Sequence, residues 1–143
     1  WLRYSANVGA RRPLYSTSLG LTMLAFTSTE RQRHYIESTR LDAVTHHTIT
    51  SRSALQQALR RIRAAGCACS SGSIEGATGV SAPVFDRDGS LLGAVGLAGP
   101  TARYERNAAQ FRALVVRCGE QMSRALGFTG AYPNVASHPP GPR

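Results

Sequence analysis

The chain predicts a mixed helix-and-strand domain built around an antiparallel hairpin, and three observations carry that prediction. Gly79–Pro100 places two apolar runs on either side of Asp86-Arg87-Asp88-Gly89-Ser90, a turn in which Gly89 can take positive φ and the aspartates can bond to nearby backbone. It reads as a β-hairpin. Helical periodicity flanks it: Leu55, Leu59 and Ile62 share one face upstream, and Phe111, Leu114, Val115, Cys118, Met122 and Leu126 form a stripe downstream. The 143 residues suit one globular unit with a real core.

Taken in order, Trp1–Val8 reads as the end of a strand, followed by a turn at Gly9. Pro13-Leu14-Tyr15 leads into Ser16-Thr17-Ser18, whose hydroxyls are natural N-caps, so a helix is expected from about Ser16 to Phe26. Thr29-Glu30 opens a second, more polar helix to about Thr39. Thr45-His46-His47-Thr48-Ile49-Thr50 is β-rich and predicts a strand, after which Ser51 or Ser53 caps the helix of Leu55, Leu59 and Ile62. Gly66 ends that helix. Cys67–Ser70 is a short strand and Ser71–Gly79 a Gly/Ser-rich loop before the hairpin. The last helix is expected from about Arg103 to Leu126, with Gly127 as its stop; residues 1–127 form the domain, and 128–143, rich in Gly and Pro, a disordered tail.

Charge and length exclude several classes. The net charge is +9, but all 17 basic residues are arginine and they are dispersed. Arg60, Arg61 and Arg63 sit on the polar face of an amphipathic helix, and no zinc-finger or RNA-recognition signature accompanies them, so direct nucleic-acid binding is not expected. No apolar run approaches the about 20 residues that span a bilayer, and no basic-then-apolar pattern of the secretory kind is read in these residues. The expectation is a soluble, cytoplasmic protein without a membrane partner. Because the chain starts at Trp1, it is expected to be a piece of a longer protein or to have had a leader omitted.

Chemistry at a catalytic centre finds little support. There is no Gly-x-Ser-x-Gly elbow, the Gly-rich pieces lack the Lys-Ser/Thr ending of a phosphate loop, and Asp86 and Asp88 are accounted for by their turn. Adjacent histidines His46 and His47 would point to opposite faces of a strand. Cys67 and Cys69 would face the same way and could meet His46 or His47 around a metal, but buried core is the plainer role for such residues. Three cysteines do not make a disulfide framework. The chain is therefore not expected to be an enzyme, and no metal or cofactor is expected.

In the second hairpin arm, Gly93, Gly96 and Ala98 leave room for an approaching group, either a ligand or a packed helix. Read alone, helix packing is favoured.

Several motifs, in register, resemble one family. Pro13-Leu14-Tyr15-Ser16-Thr17-Ser18-Leu19-Gly20, Thr45-His46-His47-Thr48-Ile49-Thr50, Arg63-Ala64-Ala65-Gly66, Ala82-Pro83-Val84-Phe85-Asp86 and Ala98-Gly99-Pro100 together resemble the effector-binding domain of IclR-type bacterial transcriptional regulators. The resemblance covers Leu2 to Gly127. It implies an α+β, GAF-like or profilin-like fold, a curved antiparallel sheet flanked by helices. It also implies a dimer or tetramer that senses a small organic acid, and DNA binding only through an N-terminal winged helix-turn-helix absent from this chain.

The family register carries the effector site onto Ser16, Thr17, Ser18, Leu19 and Gly20, where free amides at a helix start would attract a carboxylate. It continues through Ser70, Ser71 and Gly79, and along Val95, Gly96, Leu97 and Ala98. This sequence departs from the family at four places, one of them a loop to the hairpin about one residue shorter. Ser70-Ser71-Gly72-Ser73 replaces an acidic run, Gly79 stands where a cysteine is common, and Gly96 and Ala98 stand where some members have serines. Fewer polar partners and smaller side chains imply a larger, more apolar effector, an aromatic or short alkyl acid with its body against Val95–Ala98. On this reading Gly96→Leu should fill the cavity with little loss of fold. The alternatives are an oligomerisation module with a closed or vestigial pocket, or a cysteine-based redox or metal sensor.

Overall fold

The computed structural model describes residues 9–133. The strand expected at Trp1–Val8 lies outside them, as does the end of the tail.

Pro13 leads into a 3-10 turn, Leu14–Ser16, in which the Ser16 hydroxyl donates to the Pro13 carbonyl at 2.9 Å. Helix α1, Ser18–Phe26, starts later than its sequence suggests because Thr17 is the cap, its Oγ1 accepting from the Gly20 amide at 2.9 Å. Almost all of α1 is buried, so its apolar residues do not sort to one side. Helix α2, Thr29–Ser38, buries only Ile36. Helix α3, Arg52–Ala65, is capped by Ser51 and buries Leu55, Leu59 and Ile62 as their spacing predicts.

The sheet comprises β1 (Ala68–Ser70), β2 (Ala77–Phe85) and β3 (Leu91–Pro100), antiparallel in the order β1-β2-β3. The hairpin turn forms as expected: Asp86 Oδ1 accepts from the Asp88 and Ser90 amides, both at 2.9 Å, and Gly89 has φ +77°. Across the hairpin Gly79 faces Ala98, Ser81 faces Gly96 and Ala82 faces Val95. Because side chains alternate along a strand, Gly79, Ser81, Gly96 and Ala98 share one face of the sheet, and Val80, Ala82, Val95 and Leu97 the other.

Helix α1 packs on the first face, with α3 behind it, and the final helix on the second. The main core joins Tyr15, Leu21, Leu24 and Phe26 to Ile36, Leu55, Leu59 and Phe85. A smaller cluster gathers Val80, Ala82, Tyr104 and Val115. A buried hydroxyl pair, Thr22 Oγ1 and Ser81 Oγ at 2.8 Å, ties α1 to β2.

Four expectations change. The strand predicted at Thr45–Thr50 is a turn: the Thr48 amide donates to the Thr45 carbonyl at 3.2 Å. Thr48 Oγ1 accepts from the amides of Val44 (3.0 Å) and Thr45 (2.8 Å) and donates to the Gly72 carbonyl (2.7 Å). A threonine hydroxyl thus replaces the ladder bonds that β-propensity alone anticipates.

The single helix expected from Arg103 to Leu126 is two, α4 (Thr101–Arg106) and α5 (Ala108–Ala125), broken at Asn107, whose φ is −131°. The break lets Tyr104 and Phe111 stack at 6.3 Å over the small cluster.

The stripe of α5 is also displaced. Val115, Gly119 and Ser123 are buried, whereas Leu114, Met122 and Leu126 are exposed. Small residues let α5 approach β2 closely: a Cβ on Gly119 would lie 2.6 Å from the Pro83 carbonyl oxygen, and Ser123 Oγ accepts from the Phe85 amide at 3.0 Å.

Finally, the fold continues past Gly127. Phe128 is buried and Tyr132 packs on the core, its hydroxyl donating to the Pro83 carbonyl at 2.7 Å. A disordered tail beginning at 128 is therefore corrected for residues 128–133.

Candidate ligand-binding site

The N-terminal end of α1, the loop between β1 and β2, and the outer strand β3 enclose a cavity of about 460 Å³. That volume falls within the range typical of small-molecule sites. A larger cleft of about 880 Å³ lies at the opposite end of α1, between α2 and the hairpin turn. Its walls include the exposed Glu30, Arg31 and His34, which makes it an open polar groove on the surface of α2. The smaller cavity is the one that carries the predicted residues.

Thr17, Ser18, Leu19, Ser70, Gly79, Gly96, Leu97 and Ala98 all border this cavity. Ser16, Gly20, Ser71 and Val95 do not, each for a definable reason. Ser16 is fully buried, its hydroxyl and amide both directed at the Pro13 carbonyl. Gly20 is a contact glycine, since a Cβ there would press on the Leu14 backbone, 2.5 Å from its Cα. Ser71 pairs instead with the Thr78 hydroxyl at 2.7 Å. Val95 faces away because it lies opposite Ala82 on the α5 side. Leu97 borders the cavity while packing into the α5-side cluster.

At the helix end, three of the first amides already have acceptors. The Thr17 amide donates to Leu14, the Leu21 amide to Thr17, and the Gly20 amide to the Thr17 hydroxyl. Among the described residues, the amides of Ser18 and Leu19 have no such acceptor, and both residues border the cavity. Ser70 holds the opposing loop in place: its hydroxyl donates to the Ser16 carbonyl at 2.8 Å and accepts from the Gly72 amide at 3.1 Å.

Sequence reading missed Ala10, Arg12, Ser73, Ile74, Ala77 and Thr78. Arg12 matters most, being the one guanidinium on the cavity wall among the described residues; its Nη1 donates to the Ser73 carbonyl at 2.9 Å. Nothing in a chain of scattered arginines distinguishes it, because the contact spans 61 positions.

Gly96 combines two roles. A Cβ there would lie 2.8 Å from both Ser81 Cβ and the Val80 carbonyl, and 3.1 Å from Leu19 Cδ2. Gly96→Leu would therefore distort the strand pair as well as fill the cavity, so the clean separation expected from sequence does not hold. Ala98 already has a side chain and offers the better position: Ala98→Leu is expected to block ligand binding while leaving the thermal midpoint within a few degrees of the parent, measured by calorimetric titration and melting.

Among the described residues, the cysteines form no metal-binding cluster with the histidines. Cys69 is exposed and Cys67 half-buried. This corrects a fully buried role for the pair. Burial pushes the Cys67 thiol up, and the Arg112 guanidinium opposes that rise.

This α+β architecture, with its cavity between a capped helix and an outer strand, is shared with the C-terminal domain of the Escherichia coli transcriptional regulator KdgR, whose crystal structure matches with a TM-score of 0.76 and 30% identity, covering 84% of this chain and 74% of that one. The chain belongs to the family of the bacterial transcriptional regulator IclR C-terminal domain, whose profile matches residues 1–124. It is 30% identical over 129 residues to the HTH-type transcriptional regulator KdgR of Escherichia coli, covering 89% of this chain and 49% of KdgR. The chain thus spans about half the length of that relative. The crystal structure of Thermotoga maritima IclR matches with a TM-score of 0.81 and 27% identity, covering 90% of this chain and 53% of that one. A double mutant of the PobR inducer-binding domain from Acinetobacter, solved as a 3-hydroxybenzoic acid complex, shares the fold at a TM-score of 0.75 and 23% identity, covering 85% of this chain and 73% of that one. The relatives are transcriptional regulators, not enzymes. Among the described residues, no helix is long and apolar enough to cross a membrane.

Proposed function

We propose that this chain is the effector-sensing and oligomerisation domain of a cytoplasmic transcriptional regulator, and that its cavity takes an aromatic or short alkyl carboxylic acid. The DNA-binding winged helix-turn-helix would be supplied by a separate N-terminal domain, and the assembled regulator would be a dimer or tetramer. The domain itself would comprise residues 1–127 together with the packed segment to residue 133.

The observation that carries the reading is the pairing of a polar end with an apolar wall in one cavity. The Ser18 and Leu19 amides and the Arg12 guanidinium supply donors and positive charge at one side, while Gly79, Gly96 and Ala98 supply a smooth surface at the other. A carboxylate gains from the positive end of a helix and from charge-assisted hydrogen bonds, and an apolar body gains from leaving water. Very small polar acids would leave most of a cavity of about 460 Å³ unfilled. The PobR domain of the same fold, carrying an aromatic acid, supports this ligand class.

Calorimetric screening of the chain against aromatic and aliphatic acids, each beside its neutral amide, tests the proposal. At least one acid should bind tighter than about 1 mM. If none does while the chain still self-associates, the closed-pocket oligomerisation module is the correct reading. A sharper prediction concerns Ser18. It is the first residue of α1, where proline is tolerated, and the extended ψ of 150° at Thr17 suits a following proline. Ser18→Pro deletes one amide donor, so it should weaken the acid by about 10-fold to 100-fold and the neutral amide by much less. Equal losses would remove the anion contact from the helix end.

A further inference from the structure

The turn at 45–48 changes what its histidines can do. In a strand His46 and His47 would lie on opposite faces, but in the turn they lie together, their ring centroids 3.9 Å apart. Glu75, from the loop between β1 and β2, reaches the same place: its Oε1 is 2.9 Å from His46 Nδ1. One ligand atom from each of the three residues lies within 4.8 Å of the other two. We propose that His46, His47 and Glu75 bind one zinc-class divalent ion, and that the ion clamps the 45–48 turn to the loop walling the ligand cavity.

The donor set suits that ion. Two neutral imidazoles and a carboxylate favour zinc and its neighbours over calcium or magnesium, and three protein ligands leave a position for water. Tetrahedral zinc with bonds near 2.0–2.1 Å needs its ligand atoms about 3.3 Å apart. His46 and Glu75 are already closer than that, and all three side chains are exposed and able to rotate inward. Glu75 also supplies negative charge, which a chain of net charge +9 otherwise has little of to offer a cation.

The supporting backbone is braced before any ion arrives. Thr45 Oγ1 accepts from the His47 amide at 3.2 Å and donates to the Ser71 carbonyl at 3.1 Å, while Thr48 Oγ1 donates to the Gly72 carbonyl at 2.7 Å. The two ligand-bearing segments are therefore held in register by hydrogen bonds of the kind that orient metal ligands from behind. Immediately beside Glu75, Ser73 and Ile74 form part of the cavity wall. An ion there would stiffen that wall, and by linkage a ligand that prefers the stiffened loop would raise zinc affinity by the same factor. This last step rests on the effector reading; zinc binding does not.

Zinc titration of the untagged chain against a chromophoric chelator tests the site. One ion per chain is expected, with His46→Gln, His47→Gln and Glu75→Gln each weakening it about tenfold or more. The Cys67→Ser/Cys69→Ser double variant should bind as the parent does. Equal affinity in all three ligand variants, or loss of binding in the cysteine variant, overturns the proposal. Cobalt provides a second readout: nitrogen and oxygen ligation gives weak visible bands, whereas intense thiolate-to-cobalt absorption would overturn it. Zinc should also slow amide exchange across residues 71–78 in the parent and not in Glu75→Gln; unchanged exchange in the parent overturns the clamp. A failed screen with carboxylic acids would leave these outcomes untouched.

Discussion

Gly20→Ala is expected to lower the unfolding free energy by about 3 kcal/mol or more, or to prevent folding. Intrinsic preference argues the other way, since alanine in a helix is favoured over glycine by about 1 kcal/mol. The backbone decides against it. A Cβ on Gly20 would fall against the Leu14 carbonyl oxygen, 2.5 Å from Leu14 Cα and 2.7 Å from its carbonyl carbon. Those are main-chain atoms of the 3-10 turn, fixed by the Ser16 and Thr17 amide bonds, and no side chain can rotate out of the way. Urea denaturation measures the effect. A midpoint at or above the parent's would mean that the turn is not packed on α1 in solution. The same close approach sets Thr17 and Ser18 at the cavity, so Gly20 shapes the site without touching it.

Phe128→Ala is expected to cost about 3–5 kcal/mol, as for other large aromatic residues in a core. The ring is 4% exposed and lies 5.4 Å from that of Phe85, which is itself edge-on to Phe26 at 5.8 Å. Its amide donates to the Ser123 carbonyl at 2.9 Å, and the Arg124 guanidinium stands 5.4 Å above the ring. The substitution would therefore leave a void beside the largest buried aromatic of the hairpin. A chain ending at residue 127 should lose at least as much, because Tyr132 goes with Phe128. Thermal melts of both variants near the parent's midpoint would restore the boundary at Gly127.

Most of the architecture was legible because its signals are local. Asp86 and Gly89 define their turn whatever surrounds them, and Ser51 caps α3 through a residue three positions away. Leu55, Leu59 and Ile62 mark their buried face by spacing alone. The candidate site was legible in part for another reason: Thr17–Leu19 and Ala98 stand in motifs that resemble the family's, and Gly96 lies two residues before Ala98 on the same face of β3.

The failures share a cause as well. Thr48 looks like a strand residue until its hydroxyl meets the Gly72 carbonyl, 24 positions away. The buried face of α5 uses Gly119 and Ser123, which a search for large apolar residues passes over. Phe128 sits in a Gly/Pro-rich stretch whose composition hides one anchoring ring.

The sequence by itself determined the class of domain, the hairpin and its turn, the capped helices, and eight of the residues that border the cavity. Each follows from interactions within a few residues or from motifs in register. Only the tertiary structure decided that Arg12 belongs to the cavity wall, that Val95 turns its back on it, and that Gly20 and Gly96 are places of backbone approach. It also decided that His46, His47 and Glu75 converge. Those facts depend on which distant atoms the folded chain brings within a few ångströms, a quantity that spacing along one dimension does not encode.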